Sequence, residues 1–201
     1  MSYLITETWL DESVTNAEIH IDNYNIVRSD RCRNGGGVCM YIRKDLACSP
    51  RSDLHSNNIE TLWIDILLPK TKPILIGTVY RPPKDNDFFE YFEEQISKIS
   101  PGCEIYILGD FNICLLHKLS VLYKKYQNCL NMFNLKQIID EPTRVTCTSK
   151  TLIDHVVVNS EEKISQSGVL PIGLSDHFLI YCTRRKLVEI KAVTIKKITL
   201  K

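Results

Sequence analysis

Five short polar motifs stand at the ends of apolar, strand-length runs. They are Thr6-Glu7-Thr8-Trp9, Tyr80-Arg81-Pro82-Pro83, Gly109-Asp110-Phe111-Asn112, Ile153-Asp154-His155 and Ser175-Asp176-His177. Strand ends are where a rigid scaffold presents loop residues to a substrate. Asp110 and Asn112 lie two apart, so in an extended segment they face the same side. A carboxylate beside a carboxamide could orient a water and hold a phosphate oxygen. The alternative is an Asp/Asn turn that satisfies its own backbone. Asp176 and His177 are adjacent and point in different directions. One could bind a cation while the other contacts a phosphate; the plainer alternative is a surface acid beside a structural histidine. Asp154 opens the apolar stretch Val156–Val158, where a carboxylate is costly unless paired. A histidine would satisfy it and gain a fixed tautomer in return. His155 faces the opposite side, so His177 is the expected partner. Glu7 ends an apolar strand, and hard oxygen ligands of this kind suit Mg2+; the alternative is a turn acid. Gly35-Gly36-Gly37 lacks the Gly-Lys-Ser/Thr of a P-loop, so a glycine turn between strands is expected there.

The elements that must position these residues are mostly strands. Apolar runs rich in Val, Ile and Tyr recur at Tyr3–Ile5, Tyr24–Val27, Val38–Ile42, Leu62–Leu68, Ile74–Tyr80, Ile105–Leu108, Leu152–Val158, Val169–Ile172 and Phe178–Cys182. Alternation in Leu62–Leu68 predicts one buried face, and Pro69 and Pro73 bracket a hairpin turn into the next strand. Two segments have helical period. In 88–99, Phe88, Phe92, Ile96 and Ile99 form one stripe, with Asp87 as N-cap and Glu90 completing a capping box. In about 119–133, Leu122, Tyr126, Cys129, Leu130 and Phe133 face inward, with Asn134 as a left-handed terminator. Many strands and few helices predict stacked sheets with helices outside.

Composition narrows the class. The 201 residues are 44% hydrophobic and 24% charged, which is globular and excludes collagen, coiled coil and disorder. No apolar run reaches the ~18 residues of a membrane span, and no signal peptide is read at the start. The expected compartment is intracellular, nuclear or cytoplasmic. The net charge of +1 is unevenly placed: residues 184–201 carry +6 and residues 1–183 carry −5. An acidic body fits a carboxylate-lined cation pocket better than a broad basic binding face. The eight cysteines form no CxxC and have no histidine cluster, so reduced thiols are expected rather than zinc. The expected organisation is one domain, 1–183, followed by a basic tail, 184–201.

In order and spacing, seven motifs resemble one family. They are Thr6-Glu-Thr-Trp-Leu10, Gly35-Gly-Gly-Val38, Val79-Tyr-Arg-Pro-Pro83, Gly109-Asp-Phe-Asn112, Glu141-Pro-Thr-Arg144, Leu152-Ile-Asp154 and Leu174-Ser-Asp-His177. The string, from residue 3 to about 183, resembles the endonuclease/exonuclease/phosphatase family, and within it the abasic-endonuclease-like nucleases of non-LTR retrotransposons. The resemblance implies an α+β fold, a four-layer α/β sandwich. It implies Mg2+-dependent cleavage of a DNA phosphodiester, with Mn2+ as an acceptable substitute. It implies that Glu7 ligates the metal and Asp176 supports that site. Tyr80 would contact the phosphate, Asp110 and Asn112 would align or deprotonate the attacking water, and His177, oriented by Asp154, would stabilise developing charge. DNA is the implied partner; no membrane and no obligate protein partner are expected.

Family members carry an earlier strand with a metal-site asparagine, then a helix, before the Thr-Glu-Thr-Trp motif. Only six residues precede Glu7. The first strand and helix are therefore expected to be missing, as in a truncated element fragment or an incomplete gene model, with weak or absent activity for the sequence as it stands. Cys114 stands where relatives often carry an acid. Two other functions compete: a small-molecule phosphoesterase on the same scaffold, and a non-catalytic relic or nucleic-acid-binding protein.

Overall fold

Every apolar run read above lies wholly or partly in a strand of the computed structural model, which describes residues 2–173 and 175–185. In chain order the strands are β1 (Ser2–Thr6), β2 (Tyr24–Ser29), β3 (Val38–Arg43), β4 (Cys48–Pro50), β5 (Glu60–Ile66), β6 (Ile74–Tyr80), β7 (Glu104–Asp110), β8 (Lys136–Gln137), β9 (Arg144–Val145), β10 (Lys150–Thr151), β11 (Asp154–Val158), β12 (Ile164–Leu170) and β13 (Leu179–Arg184). The helices α1 (Phe88–Ser97) and α2 (Val121–Met132) flank β7 in sequence.

A six-stranded sheet, ordered β4-β5-β6-β7-β11-β8, forms the centre. It is antiparallel except between β6 and β7, which α1 joins as a crossover. One face packs against α1 and α2 through Trp63, Leu75, Phe88, Phe92, Ile107, Phe111 and Tyr126. The other packs against the sheet β1-β3-β2 and the pair β12-β13 through Met40, Ile42, Ile64, Tyr106, Val156 and Val158. The turns over 11–23 reach the outside of β1-β3-β2, where Arg28 donates to Val14 O and Tyr41 to Ile19 O. The α+β sandwich is thus helices, sheet, sheet, and an outer layer of turns among the described residues.

Two local expectations are corrected. Both faces of β5 are covered, since Trp63 and Ile64 are each buried; the strand is central, so its pleat alternates between two cores. Asp87 does not cap α1. Its backbone is already helical, and the carboxylate of Asp85 instead accepts the N–H groups of Asp87 and Phe88. β13 runs to Arg184, and residues 186–201 of the expected basic tail lie outside the described residues. Asn134 does take the left-handed conformation, and Ser120 caps α2 by accepting from Tyr123 N. None of the eight cysteines is in a disulfide. No helix among the described residues is long and apolar enough to cross a membrane.

Glu104, at the far end of β7 from the polar motifs, ties the two sheets together. It accepts from Arg184, Lys163 and Tyr106. Burial alone would raise its pKa, but these hydrogen bonds outweigh it and hold the carboxyl at about 2. A depressed pKa stabilises the fold above the ordinary value and is lost as pH falls through the folded one. Glu104→Gln is therefore expected to lose at most about 3 kcal/mol near neutrality and nothing near pH 2. Thermal denaturation of both proteins across that range checks it.

Candidate active site

Strand register assembles the site. Glu60 pairs with Tyr80, Tyr80 with Asp110, and Asp110 with Asp154, so four polar residues form one rung across β5, β6, β7 and β11. Neighbouring strands lie ~4.8 Å apart and their side chains share a face at each rung. Tyr80, Asp110 and Asp154 thus emerge together, at the end of the sheet, on the face turned towards β1-β3-β2. Gly109 permits the close fit of β7 on β6: a Cβ there would lie 1.9 Å from Val79 O.

The turn after β7 splits its side chains. Phe111 points into the helical core, fully buried and 5.0 Å from the ring of His155. Asp110 and Asn112 stay on the polar side. Asn112 adopts a left-handed conformation, φ 50°, so the pair meets through a turn and not an extended segment. Asp110 accepts from Asn112 N at 2.8 Å and from its Nδ2 at 3.1 Å, and that same Nδ2 reaches Arg81 O at 2.9 Å. The self-satisfying turn and the shared polar face are both present.

His177 comes from a distant segment. Thr143 pins it there: its carbonyl accepts from Phe178 N, and its hydroxyl accepts from Ile153 N and Asp154 N. His177 Nδ1 lies 3.0 Å from both oxygens of Asp154, the predicted pairing. Asp110, Asp154 and His177 form a group whose possible ligand atoms all lie within 4.8 Å of one another. His155 faces the other way, as expected. It is buried between Tyr126 and the Ile113 carbonyl, and burial lowers its pKa to about 4, so it is neutral and structural.

The two metal-site acids are placed differently. Glu7 sits in a left-handed turn, φ 54°, and accepts from Trp9 Nε1 at 3.0 Å. It faces the Tyr80 hydroxyl, whose pKa is raised by burial first and then by this carboxylate. The Asp176 carboxylate is drawn out to Arg144 at 2.6 Å and is not one of the 4.8 Å group; that hydrogen bond lowers its pKa.

Electrostatics at the site are unbalanced. Burial, then the neighbouring Asp154 carboxylate, raises the pKa of Asp110 to about 7. The hydrogen bond to Asp154 raises that of His177. Carboxylates crowded together with one imidazole lack positive charge, and their hard oxygens fit a divalent cation.

Arg81 lies in a motif read from the sequence, but no role was assigned to it there. It is 2% exposed, yet among the described residues its guanidinium donates only to backbone carbonyls, Asp85 O and Phe111 O, and its Nε has no partner. Its N–H also donates to Asp110 O. Arg81 therefore clamps the 110–112 turn from behind. The Arg-Pro-Pro string was the available signal, but an arginine in a loop reads as exposed.

A profile of the Endonuclease/Exonuclease/phosphatase family matches residues 4–177. Among solved structures, the fold is similar to the endonuclease domain of TRAS1, a telomere-specific non-LTR retrotransposon. That match has a TM-score of 0.75 at 15% identity, over 93% of this chain and 87% of the other. It is also similar to the 3′-5′ exonuclease NExo from Neisseria meningitidis, with TM-score 0.66 at 17% identity over 91% and 88%. The 3′ phosphatase NExo from Neisseria, bound to a product DNA hairpin, matches with TM-score 0.62 at 16% identity over 92% and 89%. No curated protein matches the sequence.

Proposed function

The chain belongs to the endonuclease/exonuclease/phosphatase family, and on that premise we propose that it is an Mg2+-dependent DNA endonuclease of retrotransposon origin that nicks its target by phosphodiester hydrolysis. The observation that carries this reading is the meeting of Asp110, Asp154 and His177 in one 4.8 Å group beside Tyr80. Glu7 and the adjacent carboxylates would hold a divalent cation, which would supply positive charge against the phosphoryl oxygens. Asp110, with a pKa near working pH, takes the proton of the attacking water while Asn112 fixes its carboxylate. Tyr80 donates its hydroxyl to a phosphate oxygen. His177, kept cationic by Asp154, faces the charge that develops on the phosphorus oxygens. Asp176 adds its charge beside His177 from the Arg144 pair.

DNA is favoured over a small phosphomonoester by the motif set Arg-Pro-Pro and Glu-Pro-Thr-Arg and by the DNA-bound fold neighbour. The test is supercoiled plasmid with purified protein. Nicked circles are expected with Mg2+, and none after EDTA. Turnover of a phosphomonoester panel without nicking would replace the proposal with a phosphoesterase.

A further inference from the structure

The glycine triplet has so far no part in the chemistry. Gly35, Gly36 and Gly37 all have positive φ, at 137°, 74° and 85°. The structure shows what the middle one makes room for. A Cβ on Gly36 would lie 2.4 Å from Arg31 Cζ and 2.5 Å from Glu60 Oε2. The turn is folded around an ion pair. Arg31 Nη1 donates to Glu60 Oε1 at 2.7 Å, Arg31 Nε donates to Gly35 O at 2.8 Å, and Glu60 Oε2 accepts from Gly37 N.

Glu60 is the end of the rung that continues through Tyr80 to Asp110. The guanidinium it holds lies 6.0 Å over the ring of Tyr80. Among the described residues Nη2 of Arg31 makes no hydrogen bond, and the side chain is 41% exposed. Arg31 is therefore a partly exposed cation fixed on two sides beside the site, with the Cys32 side chain also against it. Two strand spacings, ~10 Å, separate the Glu60 position from Asp110 along the rung.

We propose that Arg31 is a substrate-contact residue that grips a DNA phosphate neighbouring the one cleaved, with Glu60 and the glycine turn as its positioning frame. This rests on the nuclease reading above. A guanidinium binds phosphate through its planar fork, and prior immobilisation removes the rotamer entropy that binding would otherwise cost. The competing account is a surface ion pair that contributes little to anything.

Steady-state nicking of a duplex in Mg2+, at several KCl concentrations, separates the two. Arg31→Met is expected to raise KM about tenfold, the cost of one charge-assisted hydrogen bond, with kcat changed less than about twofold. The slope of log KM against log[KCl] should fall by about one. Arg31→Lys keeps the charge and loses the fork, so the slope should persist while KM rises less. Glu60→Gln should raise KM with the slope retained. If the wild type nicks DNA and both Arg31 variants keep its KM and slope, this inference is overturned and the nuclease reading stands. If the wild type neither nicks nor binds DNA, both fall together. Should Arg31→Met fail to fold, Arg31→Lys decides.

Discussion

Asp110→Asn is expected to slow nicking by roughly 10²–10⁴-fold and at the same time to stabilise the metal-free protein. The two effects have one cause. Asp110 is 5% exposed, beside Asp154 in the strand register, so its carboxyl ionises only near pH 7. A group whose folded pKa is raised contributes its stability below the unfolded value, near 3.8, and loses it as pH rises through the folded one. At pH 8 the wild type carries the full penalty of that buried charge, at most about 4 kcal/mol. The asparagine has no such charge and keeps the shape. The gain in melting temperature should thus be largest above pH 7 and vanish below pH ~4. Mg2+ should stabilise the wild type more than the variant, because a bound cation compensates the carboxylates it displaces protons from. Melting curves with and without Mg2+, alongside nicking rates, measure all of this. A variant that nicks at the wild-type rate would remove Asp110 from the chemistry.

Much of this arrangement could be read before any coordinates, and the parts that could not have physical reasons. The strands were legible because β-branched and aromatic residues bounded by turn residues have few other options. The Asp154–His177 pair was legible because a carboxylate opening an apolar run needs a partner, and His155 pointed away. The row Glu60–Tyr80–Asp110–Asp154 was not, since register is set between strands far apart in sequence and no local pattern records it. Nor was the destination of Asp176. A surface carboxylate bonds whichever cation the fold brings near, and Arg144 arrives through the bridge with His177. The α1 cap shifted from Asp87 to Asp85 for a related reason. Arg81 draws the 81–85 loop inward by bonding Asp85 O, which leaves the Asp85 side chain over the helix end. Arg81 and Arg31 are the largest omissions. Sequence alone gives an arginine no sign of whether it is buried behind a turn or held over a ring.

His177 and Asp154 give the second large effect, and its dependence of stability on pH has the same sign as that of Asp110. His177→Ala should lower nicking by roughly 10²–10⁴-fold, because the imidazolium faces charge that appears only in the transition state. Asp154→Asn keeps the ring and weakens its charge. The hydrogen bond to Asp154 is the main cause of the raised His177 pKa, and burial works against it. Without the carboxylate the largest raising influence is gone, burial still works against the charge, and the pKa should fall, with Asp110 and Asp176 left to hold it up. Nicking by Asp154→Asn should then lose its alkaline limb at lower pH than wild type. Stability follows the same sign. A raised histidine pKa stabilises fully below 6.5 and is lost as pH rises through the folded value, so Asp154→Asn costs most in acid and least in alkali. NMR titration of the His177 ring gives the pKa directly. If it does not move in Asp154→Asn, the pair does not set the charge of His177. If it moves while the alkaline limb stays put, His177 titrates with Asp154 but carries no part of the reaction.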